Sequence, residues 1–535
     1  MGTLFDELIK YAKTDYYPYH MPGHKRCDMP GFPGQILGLD ITEIAGMDNL
    51  HEPEGILLEA QKRAAAAYGA EESFYLVNGS TSGILSAISA AVPFDGHLLI
   101  ARNSHKSVYH AAYLRQLKLS YIYPEMMQAY DICEAVTPKQ VELALEKDAS
   151  IQAVLVVSPT YEGRIADMEA IARIVHKKGI PLIVDEAHGA HLGFGDGFAV
   201  NSCRQGADLV INSVHKTLPA MTQTALLHCN GTLIDRGLLR RYLHIYQSSS
   251  PSYIMMGSID HAVQMAVEGE GAFGQFREYW LDMLQRLEAL QNLKILPQAT
   301  EAPQNLKILP QATEARQNLK ILSQVSIPHL RCIKHDIGKL IISTKGTVLS
   351  GKRLAEMLRE KYHLETEMAC ETYLLAMFTM ADTREGYERL IHALLEIDRN
   401  LTEMTEASRY QKTGTERAET DESKMGKACT EKSETGSSET VKFENAKLWI
   451  LNIPGETDGR SIPFYQAWDQ QKRLIPLDRA EGCIAGEFIN LYPPGSPIVV
   501  PGEVLDRKVV EQIKNCLKSG LDVQGIVNVA EEVQG

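Results

Sequence analysis

Between about Glu52 and Cys229, short runs of consecutive apolar residues alternate with stretches whose apolar residues recur every three or four positions. The apolar runs are "SFYLV", "HLLIA", "IQAVLVV", "IPLIVDEAH" and "ADLVINS". Runs of this kind predict strands buried on both faces of a sheet. The stretches between them, "EGILLEAQKRAAAAYG", "TSGILSAISAAV", "HKSVYHAAYLRQL" and "DMEAIARIVHKKG", predict amphipathic helices. Gly69 stands just past the end of the first, and lysines and a glycine close the last, as helix ends favour. The alternation predicts an α/β fold with a mostly parallel sheet between helices. In such sheets ligands bind beyond the carboxyl ends of the strands.

With a long helical stretch from Gly257 through Leu290, this region predicts a large domain over 51–290, preceded by an arm over 1–50. The chain then repeats itself with a period of 13 residues: "QNLKILPQATEAP", "QNLKILPQATEAR" and a broken third copy, "QNLKILSQV". That period matches no solenoid class. The segment 291–325 therefore reads as a surface connection lengthened by duplication, which costs a folded protein little. A smaller α/β domain is predicted over 326–404, from "KLIIST", "GKRLAEMLREKY" and "TYLLAMFTM". Residues 405–440 are rich in Thr, Glu, Ser and Lys and read as a disordered linker. From 441 to 535 the composition becomes globular again and predicts a C-terminal α+β domain.

Composition narrows the function classes. A formal net charge of −14 over 535 residues argues against a general nucleic-acid binder. The nine cysteines are scattered and form no C-x-x-C pair, which argues for a reducing, cytoplasmic setting without a zinc ribbon or disulfide framework. No apolar run approaches a membrane span, and the first residues carry acids rather than a leader's apolar core.

The unusual residues gather where the predicted strands end. In "VNGSTSG", Gly79 lets the chain turn while Ser80, Thr81 and Ser82 offer hydroxyls and free N–H groups at a helix start. That is a cup for a phosphate, or a plain serine cap. Asp185 ends a buried strand, where a carboxylate needs a cation such as a protonated ring nitrogen, or a structural ion pair. His188 and His191 have an H-x-x-H spacing, but H-E-x-x-H and a third ligand are absent, so no metal is expected. Lys216 follows His215 and Ser213 at another strand end. A lysine there suits Schiff-base chemistry if burial or a neighbouring cation depresses its pKa. Phosphate cup, carboxylate and lysine in this order suit pyridoxal phosphate.

These residues carry a resemblance. The stretches "HMPGHK", "VNGSTSG", "RNSHKSVYHA", "SPTYEG", "VDEAHGAH", "SVHKTLPAMTQTALLH" and "LYPPGSPIVVPGE" resemble the bacterial ornithine/lysine/arginine decarboxylases. The resemblance implies the pyridoxal-phosphate-dependent transferase fold of type I and decarboxylation of a basic amino acid. It implies that Lys216 takes the cofactor aldehyde, that Asp185 meets the ring nitrogen, and that Ser80, Thr81, Ser213 and His215 hold the phosphate. His105 would stack on the ring and Ala187 would pack its other face, with His188 also at the cofactor. The chain enters at "YPYHMPGHK" and so resembles the short members without an N-terminal wing domain. A homodimer with shared sites is implied, with "DITEIAGMDNLHEPEG" as the crossing segment. Arginine is the expected substrate, then lysine, then ornithine, with Glu367 or the alternate Glu371 meeting the distal cation. Another reaction on the same fold, such as transamination or elimination, and a non-catalytic regulatory relative are the rival readings.

Overall fold

The computed structural model describes residues 2–26, 34–195, 197–296, 334–416, 446–452, 461–492, 496–518 and 521–528. Its large domain is built on seven strands: β1 (Glu72–Leu76), β2 (His97–Ala101), β3 (Lys118–Ile122), β6 (Ala153–Val157), β7 (Leu182–Asp185), β8 (Leu209–Asn212) and β9 (Ala225–Cys229). A separate small hairpin supplies β4 (Met126–Met127) and β5 (Ile132–Cys133). The spatial order is β1-β9-β8-β7-β6-β2-β3. Strand β9 runs antiparallel to both of its neighbours, and the other strands run one way. The connection from β8 to β9 holds only the one-turn helix Val214–Thr217. That is too little chain to return to the far edge, so β9 comes back alongside β8.

The consecutive apolar residues of the central strands divide between two cores. Leu99, Val154, Val156, Val184 and Val210 enter the core on one face. Leu98, Ile100, Leu155, Ile183 and Ile211 enter the core on the other. A period of two with both faces covered is what turns a strand into an unbroken apolar run. Each such side chain contributes about 1.5–3 kcal/mol of burial. Helices Ile56–Tyr68, Gly79–Ala91, Lys106–Arg115 and Met168–His176 cover the faces close to where the sequence predicts them. The first ends at Gly69, whose φ of 72° closes the helix in the left-handed region.

The smaller domain has an antiparallel sheet in the order β10-β11-β13-β12, formed by β10 (Lys294–Leu296), β11 (Lys339–Ser343), β12 (Met368–Ala369) and β13 (Tyr373–Met377). Two boundaries differ from the sequence reading. Strand β10 belongs to the first repeat copy, so this part of 291–325 is sheet rather than surface connection. Ile295 and Leu296 are buried, and the Asp398 carboxylate accepts from the N–H groups of Gln291, Asn292 and Leu293 at 2.7–2.9 Å. The helix Arg384–Glu416 also runs twelve residues into the segment read as linker, counting 405 to 416. The later repeat copies and the rest of that linker lie outside the described residues.

The C-terminal domain docks on the large domain. Arg102 donates to the carbonyls of Pro497 and Ile498 at 2.8 and 3.2 Å and pairs with Glu503 at 3.0 Å. Phe464 and Phe488 stack edge-on against Tyr109. The "PIVVPGE" part of the C-terminal stretch is thus a mooring for the second domain. Among the described residues no helix is long and apolar enough to cross a membrane.

Candidate active site

Because β1, β7 and β8 point the same way, their carboxyl ends open on one side of the sheet. A cavity of about 470 Å³ lies there, a size suited to a small-molecule ligand. It is lined by Ser80 and Thr81 from the β1 end, Asp185, Ala187 and His188 from the β7 end, and Ser213, His215 and Lys216 from the β8 end. His105, beyond β2, and Glu367, before β12, complete the wall. The structure therefore gathers ten of the sequence-selected residues around one space. It does not bring Glu371 there: this side chain is exposed, and its backbone carbonyl accepts from Gly351 N–H at 2.8 Å.

The cup at Gly79 is open. Gly79 has a φ of 73°, which favours glycine, and its N–H donates to Gln223 O. Asn78, at the helix start, makes no side-chain cap. Ser82 is not part of the cup, since its hydroxyl turns back to the Gly79 carbonyl at 2.8 Å. Ser213 Oγ is buried without a hydrogen-bond partner. A buried hydroxyl in that state is costly unless a ligand satisfies it. Asp185 is 5% exposed, accepts from Ala187 N–H at 3.2 Å, and has no ion pair among the described residues. Burial raises its carboxyl above the usual range, against the pull of the Lys216 charge. An open helix start, an orphaned hydroxyl and an unpaired buried carboxylate together fit a ligand with a phosphate at one end and a ring cation at the other.

Burial pushes the imidazoles of the site toward the neutral form. His105 caps its helix through Nδ1, which accepts from Ser107 N–H at 3.2 Å, and burial with Lys216 nearby lowers its pKa to about 4. His215 donates from Nδ1 to Thr224 O at 2.8 Å, which leaves Nε2 as its acceptor. Burial, then the charge of Lys339, holds His188 far below the ordinary histidine value. Burial also lowers Lys216, opposed by Asp185 and Glu367. His191, the other half of H-x-x-H, bonds Asp336 Oδ1 at 2.9 Å.

Sequence reasoning missed part of this wall. Tyr161 lines the cavity, bonds Glu367 Oε1 at 2.5 Å and packs edge-on against His188 at 4.8 Å between centroids. The stretch "SPTYEG" contains it. Lys339 is fully buried in β11, and its Nζ lies 2.8 Å from His188 Nδ1. A lysine opening the apolar run "KLIIST" was the available signal. Gly163 explains the glycine of "SPTYEG": its φ is 96°, and a Cβ there would stand 2.8 Å from Lys339 Cβ.

Residues 2–386 match the Orn/Lys/Arg decarboxylase major domain, and residues 463–525 match the C-terminal domain of the same proteins. The chain belongs to the Orn/Lys/Arg decarboxylase family. It is therefore a carboxy-lyase that uses pyridoxal phosphate and acts on a basic amino acid. Among relatives, an arginine decarboxylase of Bacillus anthracis is 28% identical over 540 residues, covering 98% of this chain and 94% of that protein. Lysine decarboxylase LdcA of Pseudomonas aeruginosa is 22% identical, covering 93% of this chain and 73% of that protein. The lysine decarboxylase LdcF of Francisella novicida superposes with a TM-score of 0.72 at 18% identity, over 98% of this chain and 79% of that one. That likeness shows the fold.

Proposed function

We propose that this decarboxylase acts on arginine first, lysine second and ornithine third, and that its amine product feeds polyamine metabolism. The observation that carries a basic substrate is the charge of the cavity wall. Its lining includes two carboxylates, Asp185 and Glu367. Asp185 is the partner for the cofactor's ring nitrogen, so Glu367 is left to meet a distal cation. The Tyr161 hydroxyl bonded to Oε1 orients that carboxylate. A guanidinium meets a carboxylate in a two-pronged geometry that an ammonium cannot copy. The preference for arginine is supported by the relatives named arginine decarboxylase that span nearly the whole chain.

The other residues have matching roles. Ser80, Thr81, Ser213 and His215 hold the phosphate, His105 and Ala187 flank the ring, and Lys216 anchors the aldehyde. Bound there, pyridoxal phosphate supplies an electron sink for the bond between Cα and the carboxylate. Neutral His105 covers the ring without adding a competing charge. Glu367 fixes the far end of the substrate, which aligns the bond to be broken and discriminates by length. The sites of a homodimer would be shared, with Asp40–Gly55 as the crossing segment; sedimentation showing an active monomer refutes that part. The substrate order is tested by incubating the loaded enzyme with equimolar arginine, lysine and ornithine. Agmatine should dominate. An excess of cadaverine reverses the order, and CO2 released only from a neutral amino acid ends the basic-substrate reading.

A further inference from the structure

Two lysines share one imidazole beside the cavity. Lys216 Nζ lies 3.0 Å from His188 Nε2, and Lys339 Nζ lies 2.8 Å from His188 Nδ1. An ammonium only donates, and a neutral imidazole has one N–H and one lone pair. Both bonds cannot form if both lysines are charged, because one ammonium would then face the ring N–H. With His188 neutral, one lysine is an amine that accepts from the ring N–H and the other donates to the ring lone pair, as an ammonium when the trio holds a proton. With His188 protonated, both lysines are amines. Every arrangement that satisfies both bonds leaves at least one lysine an uncharged amine, so the three groups together carry at most one positive charge.

We propose that Lys216, His188 and Lys339 form a proton relay in which Lys339 is the store that leaves an uncharged amine at Lys216. In one state Lys216 is the ammonium and donates to Nε2, while Nδ1–H donates to the Lys339 amine. In the other, Lys216 has given its proton to Nε2 and Nδ1–H has passed its proton to Lys339. The number of protons is the same in both, and the imidazole only exchanges tautomers. An amine must be uncharged to attack a carbonyl, so the second state is the one competent to anchor the cofactor. The first is restored when Lys216 is released as an ammonium.

The surroundings suit this exchange. Lys216 faces Asp185 and Glu367. Lys339 faces Asp336, Glu367 and Glu162, with Tyr161 presenting its ring at 5.6 Å. His105 and His215 are the other titratable groups near His188. Carboxylates thus stand at both ends of the relay, so the proton has a stabilised place on either lysine. Burial lowers Lys339 to about 8, which brings its proton exchange close to neutral pH. Lys339 is a positioning residue: it acts on Lys216 through His188. The inference rests on Lys216 as the cofactor lysine and does not depend on which substrate is used.

The test is cofactor loading, read without turnover. Pyridoxal phosphate is added to the cofactor-free protein across a pH series, and the visible absorbance of the bound form is followed. Lys339→Met and His188→Gln each remove the relay, and both should move the midpoint of loading to higher pH by one unit or more. At neutral pH loading should then be at least tenfold slower. Lys339→Arg keeps a permanent cation that donates to Nδ1 and leaves N–H on Nε2, so its midpoint should not move alkaline. If Lys339→Met does not fold, the His188→Gln midpoint decides alone. An unmoved midpoint in either folded variant, or an equal alkaline shift in Lys339→Arg, overturns the relay. A wild type that never develops absorbance overturns the role of Lys216 and the relay together, whereas a wrong substrate order leaves this result untouched.

Discussion

Replacing Asp185 by Asn should act with opposite sign on the cofactor-free and the loaded protein. Asp185 is buried, and the one hydrogen bond its carboxylate makes among the described residues comes from Ala187 N–H. Burial raises its folded-state pKa above the unfolded value. A carboxyl shifted in that direction subtracts stability as pH rises from the unfolded pKa through the folded one, and the loss is complete above both. Asparagine has nothing to titrate, so the cofactor-free variant escapes this loss at neutral pH. An incompletely paired buried polar group costs about 1–3 kcal/mol, so the variant should melt at or a few degrees above the wild type. The loaded protein loses the partner of a ring cation. Breaking a buried pair costs about 3–5 kcal/mol, or roughly 10²- to 10⁴-fold in cofactor affinity or turnover. Thermal melts with and without pyridoxal phosphate, beside kcat, measure both halves. The gain in Tm on loading should shrink sharply. If the cofactor-free variant instead melts well below the wild type, Asp185 belongs to a structural ion pair and the ring-nitrogen assignment fails.

Lys216→Ala should abolish turnover and the visible absorbance while circular dichroism stays native; measurable turnover would remove Lys216 from the chemistry. Glu367→Gln should raise KM for a dibasic substrate about tenfold, the lower end for a charge-assisted hydrogen bond because Glu367 is exposed. Glu371→Gln should leave KM unchanged, and the reverse pattern would exchange their roles. Deleting Gln304–Arg316 should leave kcat and Tm near wild type, and a large loss of activity in a folded deletion would make the repeat part of the site.

The sheet was legible where its strands are buried on both faces, since β2, β6, β7 and β8 read as unbroken apolar runs. Strand β3 was missed because it is an edge strand with mixed burial, "KLSYI", and blends into the helix pattern before it. Strand β10 was hidden by the repetition around it, which suggested surface length rather than sheet. The cofactor wall was legible because Ser80, Asp185, Ser213 and Lys216 all follow strands that point one way. Lys339 and Tyr161 were not, because they reach the cavity from β11 and from the turn after β6, at sequence distances no local pattern spans. Glu367 and Glu371 looked alike in sequence, and only the path of the chain into β12 separates the one facing the cavity from the one facing solvent.

The slot taken by β10 has one further consequence, at the level of the gene. The six residues "QNLKIL" that meet Asp398 and pair with β11 occur three times in the chain, at 291–296, 304–309 and 317–322. The slot recognises a short word, and the chain spells that word in triplicate. Copying errors that add or drop a 13-residue unit return the same word to the same partners, so they change the length of the message without changing its meaning. If the deletion behaves as expected above, duplication at this point is close to neutral for selection, whereas the same insertion within β7 or β8 would carry Asp185 or Lys216 out of register.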